Sequence, residues 1–211
     1  MSSLPILVCV VALIGLLLAE KSGWRPGVWL TKPIAAAAYV WAAIEWGALG
    51  TPYGRWVLLG LTLSFLGDVL LIPKNRRSWF RAGILAFLAG HLAYVGAFLH
   101  LPRGWMGLVA GLLVAVALAW FVLGWLGPKL PEGFRRLVVI YVGVICCMVV
   151  GAFWAADGSG DGAIALGATL FALSDISVAR DRFVAKAFAN RVWGLPLYFA
   201  AQQILASTVA G

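Results

Sequence analysis

The sequence predicts an all-α, polytopic membrane protein of eight transmembrane helices with both termini on the non-cytoplasmic side. Composition, eight apolar stretches and an alternating distribution of basic residues predict it. Of 211 residues, 63% are apolar and only 11% are charged, where a soluble domain carries roughly 25% charged residues. Mean hydropathy is +0.97. A crossing helix needs about 20 mostly apolar residues to span a hydrocarbon core of about 30 Å. Such stretches fall at 4–19, 34–50, 55–72, 79–99, 104–126, 135–156, 162–179 and 191–209, separated by short polar connectors. They fill nearly the whole chain, so residues 1–211 read as a single membrane domain. The shortest stretches stand nearly upright or extend into their connectors.

The basic residues set the orientation. The first connector holds Lys21, Arg25 and Lys32, the third Lys74, Arg76, Arg77 and Arg81, the fifth Lys129, Arg135 and Arg136, and the seventh Arg180, Arg182, Lys186 and Arg191. The even connectors hold only Arg55 and Arg103, and the tails hold none. Cytoplasmic loops are enriched in Lys and Arg, so odd connectors face inward and both termini outward. The alternation also supports the helix count, because adding or losing one helix would scramble it. The net charge of +8 is thus a topology signal and a contact for anionic membrane lipids, not a nucleic-acid surface.

Each span has its own features. No basic residue precedes the first, and Glu20-Lys21-Ser22-Gly23-Trp24 follows it without a small-x-small cleavage pattern, so it is a helix and not a signal peptide. Lys32-Pro33 opens the second, with Pro in the first turn. Glu45 stands one turn from that span's outer end and reaches the surface. The third and seventh carry Asp68 and Asp175 four or five residues from their cytoplasmic ends, roughly 6–8 Å along the axis. Gly60 and Ser64 share the face of Asp68, a small and polar face suited to a bundle interior. The fourth has a stripe of Gly83, Phe87, His91, Tyr94 and Phe98. Tyr141 enters the sixth near the depth of the aspartates, and the eighth places Tyr198 and Gln202 one turn apart. His91 and Gln202 are expected deeper, roughly 18 Å from the inner surface. Trp24, Trp29, Trp56, Trp79, Trp105 and Trp193 near span ends fit interfacial anchors. Cys9, Cys146 and Cys147 lie inside spans and read as reduced packing residues.

Residues 60–68 and 167–175 match at five of nine positions at a constant offset of 107: Gly60/Gly167, Thr62/Thr169, Leu63/Leu170, Leu66/Leu173 and Asp68/Asp175. Asp68 to His91 and Asp175 to Tyr198 are both 23 residues. A parallel 4+4 repeat accounts for this echo, as does a chance match in apolar sequence.

Ionisable groups inside spans are costly and mark functional sites by default. Lys32, Asp68, Tyr141 and Asp175 are expected to converge near the inner leaflet. Two histidines, with no His-x-x-x-His or Cys-x-x-Cys pattern, provide no three-His zinc site, so no metal or other cofactor is expected. Ser174 adjoins Asp175, but helix neighbours point about 100° apart, against a serine hydrolase. Paired buried carboxylates suit acid–base chemistry, one held as acid and the other as base, as in cleavage through an oxocarbenium ion. Each polar residue also has a bland reading as interhelical hydrogen-bonding glue.

The run Leu66-Gly67-Asp68-Val69-Leu70-Leu71, followed by Phe80, Gly83, Phe87, His91 and Tyr94, resembles the first signature of the YhhN family of lysoplasmalogenases. Gly167, Phe171, Ser174-Asp175 and Phe183, then Tyr198 and Gln202, resemble its second. Lys32-Pro33 and Tyr141 stand where that family tends to have such residues. The resemblance implies an eight-helix enzyme cleaving the vinyl ether bond of lysoplasmalogens to a fatty aldehyde and a glycerophospho-alcohol. It implies Asp68 and Asp175 as the catalytic pair, with Lys32, His91, Tyr94, Tyr141, Ser174, Tyr198 and Gln202 binding substrate. The substrate class is then a lysophospholipid, whose phosphate Lys32, together with Arg77 or Arg182, would hold at the cytoplasmic interface. Two rivals remain: an aspartyl protease, with which only Gly67-Asp68 agrees, and a proton-coupled transporter using the aspartates as proton sites. Short connectors and the absence of an Asn-x-Ser/Thr sequon are compatible with a bacterial inner membrane.

Overall fold

The computed structural model describes residues 2–73 and 76–210; Lys74 of the third basic connector lies outside the described residues. Eight α-helices occupy them: α1 Leu4–Ser22, α2 Arg25–Glu45, α3 Pro52–Leu70, α4 Arg77–Phe98, α5 Trp105–Leu126, α6 Glu132–Ser159, α7 Gly162–Phe183 and α8 Phe188–Ser207. Local chemistry sets several boundaries. The Thr51 side chain accepts from the Gly54 N–H at 3.0 Å and caps α3, with Pro52 following it. Asp161 does the same for α7 through the Ala163 N–H at 3.0 Å. Gly23 and Gly160 end α1 and α6 with φ of 70° and 75°, left-handed conformations that glycine adopts without a Cβ penalty.

The second helix differs from its expected bounds of 34–50. It begins at Arg25, with Pro26 in the first turn, and Pro33 lies inside it. Lys32 is therefore a helix residue facing the bundle and not part of a loop. Its charge is neutralised inside the protein, so it does not force the chain back to water.

Six helices, α1, α2, α4, α5, α6 and α7, are long and apolar enough to cross a membrane. The outer surface is apolar as well: Val116 is 67% exposed and Trp120 80%, both midway along α5. A soluble protein would not leave such residues in contiguous patches in water. The molecule is an all-helical integral membrane protein.

Helices α2, α3, α4, α6, α7 and α8 contact one another in that order, and α8 returns to α2 to close a ring. α1 leans on α2 and α8, and α5 on α6. Small residues permit the tightest approaches. A Cβ on Gly107 would stand 2.1 Å from the Phe153 carbonyl oxygen and one on Gly111 3.0 Å from Val150 Cα, which brings α5 against the α6 backbone. Gly194 admits Ser177 of α7 onto α8 in the same way. Cys9 is buried, but Cys147 is exposed on the outer face and is not a packing residue, contrary to expectation. Glu45, at the end of α2, is exposed.

Candidate active site

The interior of the ring opens into a cavity of about 480 Å³ whose walls include Lys32, Asp68, Tyr141, Ser174, Asp175 and Tyr198. Apolar side chains, among them Leu16, Val28, Phe87, Val122, Val142 and Ile145, make up much of the remainder. The two aspartates thus share one chamber, but each has its own set of partners.

Asp68 is 3% exposed. Lys32 Nζ lies 3.1 Å from its Oδ1 and donates to its backbone carbonyl at 3.0 Å. On the other side, Oδ2 accepts the hydroxyls of Tyr198 at 2.6 Å and Tyr39 at 3.0 Å. Gln202 Nε2 donates to the Tyr198 oxygen at 3.1 Å, and the Tyr94 hydroxyl donates to Gln202 Oε1 at 2.7 Å. The chain Tyr94–Gln202–Tyr198 therefore points every hydrogen toward Asp68. Its carboxyl thus meets an ammonium on one oxygen and two phenols on the other, an arrangement suited to an anion.

Asp175 has a different environment. Its Oδ2 accepts the Tyr141 hydroxyl at 3.1 Å and stands 3.4 Å from His91 Nε2. The His91 ring is fully buried and lies against Phe171, with ring centroids 4.3 Å apart. Its Nδ1 is 2.7 Å from the Phe87 carbonyl oxygen. His91 was expected at greater depth than Asp175; the structure puts them in contact. α7 continues to Phe183, so Asp175 lies about two turns inside it, deeper than a helix ending at 179 would place it.

The remaining expected residues stand back from the two aspartates. Tyr94 and Gln202 are fully buried behind Tyr198 and do not line the cavity. Ser174 lines it, but its hydroxyl donates to the Phe171 carbonyl of its own helix at 2.7 Å.

Sequence reasoning missed Tyr39, which touches both Asp68 and Tyr198. The signal was present: Tyr39 follows Lys32 by seven residues, two turns along the same face. It also missed the polar cluster at one end of the cavity. There Arg191 joins Glu20 of α1 at 3.2 Å to Asp181 of α7 at 3.0 Å. Asn190, 1% exposed, donates to Asp181 and the Ala185 carbonyl and accepts from Arg180. On the same side Arg182 lies 4.2 Å over the Phe80 ring, and Arg77 and Arg81 lie over Phe134.

The aspartate partners follow the offset seen in the sequence. Asp68 on α3 takes Tyr198 from α8, and Asp175 on α7 takes His91 from α4; both members of each pair are displaced by 107 residues.

Residues 27–209 match the model of the YhhN family. The lysoplasmalogenase TMEM86A of Bos taurus is 32% identical over 164 residues, which cover 74% of this chain and 65% of that protein. The lysoplasmalogenase of Mycobacterium tuberculosis is 32% identical over 170 residues, covering 75% of this chain and 62% of its own length. The lysoplasmalogenase TMEM86B of Mus musculus is 30% identical over 189 residues, covering 88% of this chain and 76% of that protein. The chain therefore spans slightly under two thirds of the bovine and mycobacterial relatives. No solved structure matches the chain.

Proposed function

The chain belongs to the YhhN family, and from that premise we propose that it is a lysoplasmalogenase, hydrolysing the vinyl ether bond of alkenyl glycerophospholipids. The observation that carries this reading is the sharing of one largely apolar cavity by two carboxyl groups, Asp68 and Asp175. The named relatives support the substrate class and lend no support to a proton-coupled transporter.

In the reaction, one carboxylic acid protonates the vinyl β-carbon and the C=C bond becomes an oxocarbenium ion centred on the α-carbon. The ionised carboxylate stabilises that cation and takes a proton from the attacking water. The hemiacetal then collapses. Its hydroxyl proton returns to the first carboxylate, while the second carboxyl protonates the departing glycerol oxygen, giving aldehyde and glycerophospho-alcohol with both groups restored. Water is the only co-substrate in this scheme.

The alkenyl chain lies along the apolar wall made by Val122, Val142 and Ile145. Because Asp68 already engages Lys32, the phosphate falls to Arg182, which lines the cavity, with Arg77 and Arg81 nearby. Tyr39, Tyr94, Tyr198 and Gln202 hold Asp68 from behind, and Tyr141 and His91 hold Asp175.

All eight helices cross the membrane in this reading, with the termini outside and the basic connectors inside. α3 and α8 are the less apolar spans because their polar residues turn inward. A parallel four-helix repeat is supported by the exchanged partners of the two aspartates and by the ring itself, where the α4–α6 contact corresponds to α8–α2.

The test is aldehyde release by purified protein in detergent from an alkenyl lysophosphoethanolamine, with the saturated alkyl ether as control. Aldehyde from the vinyl ether alone is expected. No release from folded protein, or equal loss of both lipids, contradicts the proposal.

A further inference from the structure

The two carboxyl groups are not interchangeable, and the hydrogen-bond geometry separates their roles. A carbonyl oxygen only accepts hydrogen bonds, so the 2.7 Å contact with Phe87 places a hydrogen on His91 Nδ1. In the neutral ring Nε2 is then a bare lone pair. That atom is fully buried, stands 3.4 Å from Asp175 Oδ2, and has no hydrogen-bond partner among the described residues. A bare nitrogen facing an ionised carboxylate sets two lone pairs in opposition, and the donor to that carboxylate oxygen, the Tyr141 hydroxyl, leaves the nitrogen unsatisfied. One proton on the carboxyl removes the conflict and satisfies both atoms.

The opposite holds at Asp68, where Lys32, Tyr39 and Tyr198 are all donors. A proton on that carboxyl turns aside one of the two phenol hydrogens and leaves the Lys32 ammonium uncompensated. These contacts are met by two neutral units: an ammonium–carboxylate pair, and a carboxylic acid facing imidazole.

We infer that Asp175 rests as the protonated acid of the site, with His91 as the positioning residue that faces its proton, and that Asp68 rests as the carboxylate. The catalytic meaning of this assignment rests on the vinyl-ether reading above. Asp175 delivers its proton to the vinyl β-carbon, and its O–H bond breaks as the C–H bond forms. The carboxylate left behind balances the positive charge that appears on the substrate, and Tyr141 already donates to it at 3.1 Å. His91 Nε2 then faces an unprotonated partner. This favours return of the hemiacetal hydroxyl proton to Asp175, while Asp68, which took a proton from the attacking water, passes it to the departing glycerol oxygen and ends the cycle ionised. The titratable and charged groups that share the cavity with Asp175 are Tyr141 from α6, the Lys32–Asp68 pair, Tyr198, Arg182, Lys186 and the Glu20, Asp181 and Arg191 cluster.

Infrared spectroscopy of the purified, substrate-free protein at neutral pH tests the inference without reference to activity. A carboxylic-acid carbonyl band that shifts in heavy water is expected in the wild type. It should persist in Asp68→Asn and vanish in Asp175→Asn. In His91→Gln and His91→Phe the band should move or disappear, and circular dichroism verifies that these variants are folded. Absence of the band from the wild type, or its loss in Asp68→Asn but not Asp175→Asn, overturns the assignment. In turnover, His91→Gln should lower kcat by about 10²-fold with KM nearly unchanged; an effect on KM alone contradicts a role through the Asp175 proton. If the band behaves as stated but no aldehyde forms from any lipid, the substrate reading fails and the proton assignment stands.

Discussion

The Tyr198 hydroxyl on α8 donates to Asp68 Oδ2 on α3 across 2.6 Å, the shortest contact of the Asp68 carboxylate. It is the last link of the chain from Tyr94 through Gln202, and it fixes the carboxylate between a phenol and an ammonium. Asp68 is therefore oriented by three helices, α2, α3 and α8, before any substrate arrives.

Removing this link should cost more than removing its neighbour. Tyr198→Phe deletes the 2.6 Å bond and also strips Gln202 Nε2 of its acceptor at 3.1 Å. Tyr39→Phe deletes the 3.0 Å bond to Asp68 and the 3.1 Å contact with the Tyr198 hydroxyl, which keeps its bonds to Asp68 and Gln202. A hydrogen bond to a charged group contributes about 1.5–3 kcal/mol, so Tyr198→Phe should lower thermal stability in detergent by that order, and Tyr39→Phe by less. Equal effects would show that the relay behind Tyr198 carries no energy.

The Lys32–Asp68 pair makes a sign-dependent prediction. Lys32→Met leaves a buried carboxylate without its counter-charge, which costs about 3–5 kcal/mol for such pairs. Adding Asp68→Asn to Lys32→Met removes the orphaned charge and should recover much of that loss, although the double variant is inactive. Thermal unfolding of the single and double variants checks this. Additive losses would mean that the two groups do not interact.

Packing between α7 and α8 depends on Gly194. A Cβ there would stand 2.5 Å from Ser177 Cβ, so Gly194→Ala should separate the helices. Overpacking of this kind costs about 1–3 kcal/mol. Because Tyr198 follows one turn later on α8, activity should fall along with the melting temperature. An unchanged melting temperature would contradict the packing described.

Orientation is open to labelling. Pro102 and Pro131 are exposed in the connectors after α4 and α5. In a background with Cys9, Cys146 and Cys147 replaced by Ala, Pro102→Cys should react with an impermeant maleimide on intact cells. Pro131→Cys should react only after permeabilisation. The reverse pattern would invert the topology.

Much of the site was legible because the membrane makes buried charge conspicuous: Asp68, Asp175 and His91 stand out in apolar stretches where each needs a reason to be present. Helix α2 was harder. Hydropathy treats Arg25 and Lys32 as loop residues, and the partner that lets Lys32 stay inside the helix is Asp68, 36 residues later and on another helix. Tyr39 was overlooked for the same reason, since its one local signal, a place two turns after Lys32, acquires meaning only from what α3 and α8 bring to it. The Glu20–Arg191–Asp181 cluster joins α1 to the consecutive helices α7 and α8, and no spacing rule within one helix reveals it. The contact of His91 with Asp175 depends on where α7 ends, and boundaries are the weakest part of reading apolar segments.

The most direct test of the central claim, that the two aspartates in one cavity perform the cleavage, is the rate of aldehyde release by Asp68→Asn and Asp175→Asn beside the wild type. Both variants keep the size of the side chain and should fold. Each should lose about 10²–10⁴-fold in turnover, the range for removing a general acid or base, while the wild type cleaves the vinyl ether and spares the alkyl ether. Wild-type rates in either variant would contradict the account.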